Sequence, residues 1–170
     1  MELHRLGVKF FAADPESIRL EDFIPVFHGW IQQQSIPEHL LIDIHDYSHM
    51  QNGPGIVLVA HEGNFSIDMS DGRPGLFYYR KIPTALTPAD HVKTVLKSAR
   101  DACRLLEKDA KMQFKPNELL VIANDRLHAP NDDATFADFK PVLAEALGNS
   151  FELTRISADP KERLTILARS

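Results

Sequence analysis

Apolar positions along the chain repeat with two periods, and the switches between them mark its elements. Leu6–Ala12 (LGVKFFA) reads as a first strand. Leu20, Phe23, Ile24, Phe27 and Ile31 then fall on one helical stripe. Asp22 is the expected N-cap of that helix, with Pro25 at its third position and Pro37 marking its end. Period-two runs over 40–45, 56–62, 65–69 and 76–82 predict a strand meander. Its turns are expected at Asn52–Gly55 (NGPG), Gly63–Asn64 and Asp71–Gly75 (DGRPG). Thr87 and Pro88 open a long helix whose stripe is Val92, Val95, Leu96, Ala99, Cys103, Leu106 and Ala110. A strand over 118–123 follows, then the loop Asn124–Asp133 and a helix carrying Phe139, Leu143, Ala146 and Leu147, with Gly148 past its end. Two strands near 151–157 and 163–169 close the chain. Asp22–Val26 (DFIPV) and Asp138–Val142 (DFKPV) read either as a relic of duplication or, preferably, as two uses of one helix start, with Asp as the cap. The order β-α-β-β-β-β-α-β-α-β-β predicts an α+β fold: a mostly antiparallel, mixed sheet with a central meander and about three helices on one face.

The hairpin turns decide which side chains share a sheet face, because a slip of one residue exchanges the faces. With Gly63–Asn64 as a two-residue loop, His61 opposes Ser66 and Val59 opposes Asp68. With DGRPG as a five-residue loop, Asp68 opposes Tyr78 and Ser66 opposes Arg80. In that register His61, Ser66, Asp68, Tyr78 and Arg80 emerge together around Val57 and Val59, within cross-strand reach of one another. This face is the candidate ligand-binding site, suited to a small anionic or hydrogen-bonding ligand. Arg126, in the loop after a central strand, is its candidate sixth member, since a guanidinium can grip a carboxylate or phosphate bidentately. The structural alternative for Arg126 is a pairing with an acid of the same domain.

The remaining histidines argue less for a site. His45 and His49 are not helically spaced, so they do not form an i, i+4 metal pair, and they are expected to be exposed or locally hydrogen-bonded. His61 and Glu62, as strand neighbours, point to opposite faces, which disfavours a centre built from His49, His61 and Glu62. No metal or cofactor is expected. Glu62 is expected to accept backbone hydrogen bonds. Cys103 lies on an apolar stripe and reads as a small buried residue.

Composition narrows the classes. A chain of 170 residues, 44% of them hydrophobic and 25% charged, fits one globular domain over 1–170 and needs no disulfide or metal to fold. With one cysteine, no intrachain disulfide or CxxC centre is available. A net charge of −5 with scattered cations argues against nucleic acid. No unbroken apolar run is longer than that of Ile56–Ala60, far below the ~20 residues of a membrane span. Met1–Asp14 does not read as a secretion signal, so a cytoplasmic location is expected.

Familiar catalytic signatures are missing: GxGxxG, GxxxxGK[ST], HExxH and GxSxG. His61 near Ser66 and Asp68 evokes a triad, though no oxyanion hole is in view. The pattern Asp46-Tyr47-x-His49, Gly53-Pro54-Gly55, His61-Glu62, Gly72–Lys81 (GRPGLFYYRK) and Asn124–Asn131, with the helix Leu20–Gln32, resembles an uncharacterised bacterial protein family. That resemblance implies a cytoplasmic single-domain bacterial protein and supplies no reaction. His45 and His128 lie outside the shared pattern. The expected function is therefore a non-enzymatic domain that binds a small ligand or forms a homodimer through the polar sheet face. The alternative is a hydrolase-like or metal-dependent enzyme using His61, Asp68 and Arg80.

Overall fold

A computed structural model describes residues 1–170. Strand β1 (Leu6–Ala12), buried along its whole length, forms the middle of an eight-stranded sheet. The meander β2 (Leu41–Tyr47), β3 (Gly55–Ala60), β4 (Gly63–Asp68) and β5 (Gly75–Arg80) lies on one side of it. On the other side are β6 (Phe114–Ala123), β8 (Leu164–Arg169) and β7 (Glu152–Arg155). The order is β2-β3-β4-β5-β1-β6-β8-β7, and every pairing is antiparallel, with no parallel pair to make the sheet mixed.

Helices α1 (Phe23–Gln33), α2 (Pro88–Asp109) and α3 (Asp133–Leu147) cover one face. The α2 stripe from Val92 to Leu106 is buried against Leu6, Val8 and Phe10 of β1 and their sheet neighbours, in one continuous core. Cys103 belongs to this core, and burial pushes its thiol pKa up. Thr87 caps α2 as expected, its hydroxyl accepting the Asp90 N–H at 3.3 Å.

The other two helix starts differ from expectation. Asp22 makes no side-chain cap; it ends a 3-10 turn (Leu20–Asp22) that runs directly into α1. Helix α3 starts earlier than Asp138, because Asp132 offers its carboxylate to the Thr135 N–H at 2.8 Å. Pro141 consequently lies inside α3. Its missing N–H removes the usual helical donor to the Ala137 carbonyl, at a position on the exposed side of the helix.

Both hairpin registers also change. The β3–β4 turn is at His61–Glu62, which places Gly63 inside the strand and sets Ser66 opposite Val57. Glu62 fixes this turn. Its carboxylate accepts the Leu40 N–H at 2.8 Å and its carbonyl accepts the Lys81 N–H at 3.0 Å. Burial raises the Glu62 pKa, but those backbone donors and nearby His39 and His61 outweigh it, and the net shift is downward. Gly63 is needed where it lies, since a Cβ there would come within 2.7 Å of the Tyr78 hydroxyl and 2.6 Å of the Tyr79 carbonyl. The β4–β5 connection includes a 3-10 turn at Ser70–Gly72, so Ser66 opposes Phe77 rather than Arg80. That odd-numbered displacement reverses the faces of β5.

Candidate functional site

Helices cover one face of the sheet, and the other face is open. Its central row runs across the strands as Val57, Ser66, Phe77, Lys9, Leu120 and Leu167, each opposite the next. The adjoining row is Val59, Asn64, Tyr79, Gly7 and Ile122. The Phe77 ring occupies the space that a side chain on Gly7 would need, 2.6 Å from an ideal Cβ. Phe77 and Tyr79 lie nearly parallel, 16° apart with centroids separated by 6.5 Å, and both are half-buried.

Lys9 is the charged residue of β1, and only 2% of it is exposed. Its ammonium donates to Asp68 Oδ2 at 2.8 Å and to the Ser70 carbonyl at 3.1 Å, while the Ser70 hydroxyl donates to Asp68 Oδ1 at 2.9 Å. A lone buried ammonium is costly, so this closed set of bonds is what lets a lysine occupy a central strand. At the same end of the face, Arg73 lies 3.5 Å over the Phe11 ring and donates to Glu118 at 2.9 Å. Arg169 donates to the same carboxylate at 3.0 Å. The hydrogen bond from Arg73 leads, and that from Arg169 adds to it, in holding the Glu118 pKa at about 2.

Two adjoining hollows of about 250 and 230 Å³ lie on this face and share Pro54, Ser66, Phe77 and Arg163. The smaller one includes Asn64, whose Oδ1 is buried without a partner, together with Tyr79 and Asn124. Arg163 also borders a neighbouring hollow of about 360 Å³, with Arg126, Lys161, Asp71 and Glu162. Arg126 in turn borders one of about 520 Å³, with Arg5, Lys81, Asn124 and His128. Arg5, Lys81, Arg126, Lys161 and Arg163 form no ion pair. Five unpaired cations thus surround the open face of a chain whose net charge is −5.

The structure divides the residues expected to form the site. Ser66 and Asp68 are on the open face, and Arg126 stands on its rim. Asp68 is engaged by Lys9, so it orients no histidine. His61 is exposed in the β3–β4 turn. Tyr78 and Arg80 belong to the helix-covered face, because the displaced register turned β5 over. The triad-like arrangement is therefore not assembled.

Tyr78 instead belongs to a buried polar chain. His39 Nδ1 donates to the Pro37 carbonyl at 2.8 Å, so its Nε2 accepts the Tyr78 O–H at 2.7 Å. Burial raises the Tyr78 pKa, with nearby Arg80 pulling against it. His91, fixed through Nδ1 to the Leu3 carbonyl at 3.1 Å, has its pKa lowered by burial.

Lys9, Asn64, Phe77, Tyr79 and Arg163 were missed from sequence. One signal was present: a single lysine within the apolar run LGVKFFA calls for a buried partner. His45 and Asp43 approach to 3.7 Å on the exposed edge strand, a local contact of the expected kind. No helix is long and apolar enough to cross a membrane. No protein-family model, curated protein or solved structure matches the chain.

Proposed function

We propose that the protein is a non-enzymatic binding domain whose open sheet face takes a small anionic ligand with a flat apolar part. The observation that carries this reading is the pair Arg126 and Arg163. These exposed, unpaired guanidiniums border one hollow of about 360 Å³ and reach the hollows on either side. Guanidinium forks suit carboxylate, sulfonate or phosphate groups, and each charge-assisted bond is worth ~1.5–3 kcal/mol. The stacked Phe77 and Tyr79 rings supply an apolar platform beside them, and the unpartnered Asn64 Oδ1 supplies an acceptor. Chemistry on the ligand is not part of the reading, since Lys9 and Asp68 satisfy one another and His61 lies outside the hollows.

An anilinonaphthalene sulfonate, which combines a flat apolar body with one anionic group, is a suitable probe. Fluorescence titration of the folded chain is expected to give saturable binding that weakens with added salt. Arg126→Ala and Arg163→Ala are each expected to reduce affinity about tenfold, the equivalent of losing one such bond. Binding unchanged by both substitutions overturns the reading. Light scattering supplies the second arm. A monomer agrees with an open face, whereas a dimer dissociated by Phe77→Asp replaces ligand binding with self-association through that face.

A further inference from the structure

We infer that Glu2, His4 and His128 form a binding site for a divalent transition-metal ion of the zinc, nickel or cobalt class. The three side chains come from two distant stretches of chain, the residues before β1 and the loop after β6. Their donor atoms all lie within 4.8 Å of one another. Glu2 Oε2 is 3.4 Å from His4 Nε2 and 3.4 Å from His128 Nε2. A tetrahedral ion with metal–nitrogen distances of ~2.0–2.1 Å spaces its ligand atoms by roughly 3.4 Å, so those two separations are already edges of such a site. Two imidazoles with one carboxylate select borderline metals over calcium and magnesium, which prefer all-oxygen sets.

The surroundings of His128 provide a second, independent sign. Its Nδ1 donates to Asp125 Oδ2 at 2.8 Å, which fixes the ring and leaves the Nε2 lone pair facing Glu2 and His4. Asp125 is itself held, accepting the N–H groups of Leu127 and His128 at 3.2 Å each. A carboxylate that orients a histidine from behind is the usual outer partner of a metal-binding imidazole. The His4 and His128 rings lie 4.4 Å apart, close enough for both to reach one ion. As simple exposed pairs with Glu2, the two histidines gain little, since such contacts are worth ~0–1 kcal/mol.

Three protein ligands leave a coordination position open to solvent. His4 and His128 share their hollow with Arg5, Lys81 and Arg126. Those three cations repel a bare dication, and binding is therefore expected in the roughly micromolar range rather than tighter. Its ligand atoms are none of the groups of the anion reading above; Arg126 borders both sites, and His4→Ala and His128→Ala test the metal site with Arg126 and Arg163 in place.

Calorimetric titration of the untagged full chain with cobalt(II) and zinc tests the site near neutral pH, with the cobalt d–d absorption reporting geometry. The expected result is one equivalent bound with a tetrahedral cobalt spectrum. His4→Ala and His128→Ala are expected to reduce affinity at least tenfold. Asp125→Asn is expected to do so by about tenfold, the usual effect of losing an outer partner. The substituted histidines are exposed, so circular dichroism is expected to show folded variants. His45→Ala and His49→Ala control for adventitious binding among the eight histidines of the chain. The inference is overturned if no equivalent binds, or if the control variants lose as much affinity as His128→Ala.

Discussion

Lys9 and Asp68 are the residue pair on which the open face depends. Their side chains are 2% and 11% exposed, and their contact distance is 2.8 Å. Removing one member of such a pair strands a charge in a covered site, at a cost of ~3–5 kcal/mol. Asp68→Ala is therefore expected to lower unfolding stability by about 3 kcal/mol in urea denaturation, since the Ser70 carbonyl alone does not replace the carboxylate. The double variant Lys9→Met/Asp68→Leu is expected to recover most of that loss, because it removes both charges and keeps the volume. A loss below about 1 kcal/mol in Asp68→Ala would mean that water reaches the ammonium and screens it. The sequence showed part of this arrangement. A lysine between Val8 and Phe10 signals a buried cation, but its partner 59 positions away depends on the β4–β5 register, which local spacing does not encode.

Elements were legible where short-range chemistry decides them. Thr87-Pro88 with an apolar stripe specifies α2, and the four period-two runs of the meander, with four further strand-like runs, match the eight strands in order. Turn positions were less legible because contacts outside the hairpin choose them. Gly63–Asn64 has good turn chemistry, yet Glu62 anchors the turn two residues earlier by bonding to Leu40 and Lys81. In the same way Asp132, not Asp138, captures the start of α3, and Pro141 is absorbed into the helix. The candidate site suffered most, because a displaced turn moves whole rows of side chains: Tyr78 and Arg80 left the open face, and Phe77 and Tyr79 took their places.

A further element-level link joins β6, β8 and the turn before β5 through Glu118, which accepts from both Arg73 and Arg169. Its pKa of about 2 lies below the ordinary glutamate value of 4.5. Its contribution to stability is therefore fully present above pH 4.5 and is lost as pH falls toward 2. Wild-type protein is expected to lose stability over this window, whereas Glu118→Gln starts less stable and loses less. Urea midpoints measured across the window check this, and parallel curves for the two proteins would remove Glu118 from the acid response.

At the scale of the whole molecule, the position of β1 has a mechanical consequence. The N-terminal strand lies between β5 and β6, so it alone stitches the meander to the three strands that follow α2. Neither half completes its sheet without it. The buried core likewise runs without a break through residues of both halves and all three helices. Trp30, the sole tryptophan, reports from α1 on the meander side, and its indole N–H donates to Asp109 at the end of α2, at 2.9 Å. Chains of this length often unfold through intermediates, but one shared strand and one shared core oppose a state in which either half survives alone. Trp30 fluorescence and far-UV circular dichroism are therefore expected to give the same urea midpoint. Calorimetry is expected to show one transition, with a heat-capacity change of about 2–2.5 kcal/mol/K for a chain of this size. A tryptophan midpoint clearly below the dichroism midpoint would show that α1 and the meander separate first. In that case β1 pairs more strongly with β6 than with β5, and residues 1–170 fold as two units rather than the single domain expected from length and composition.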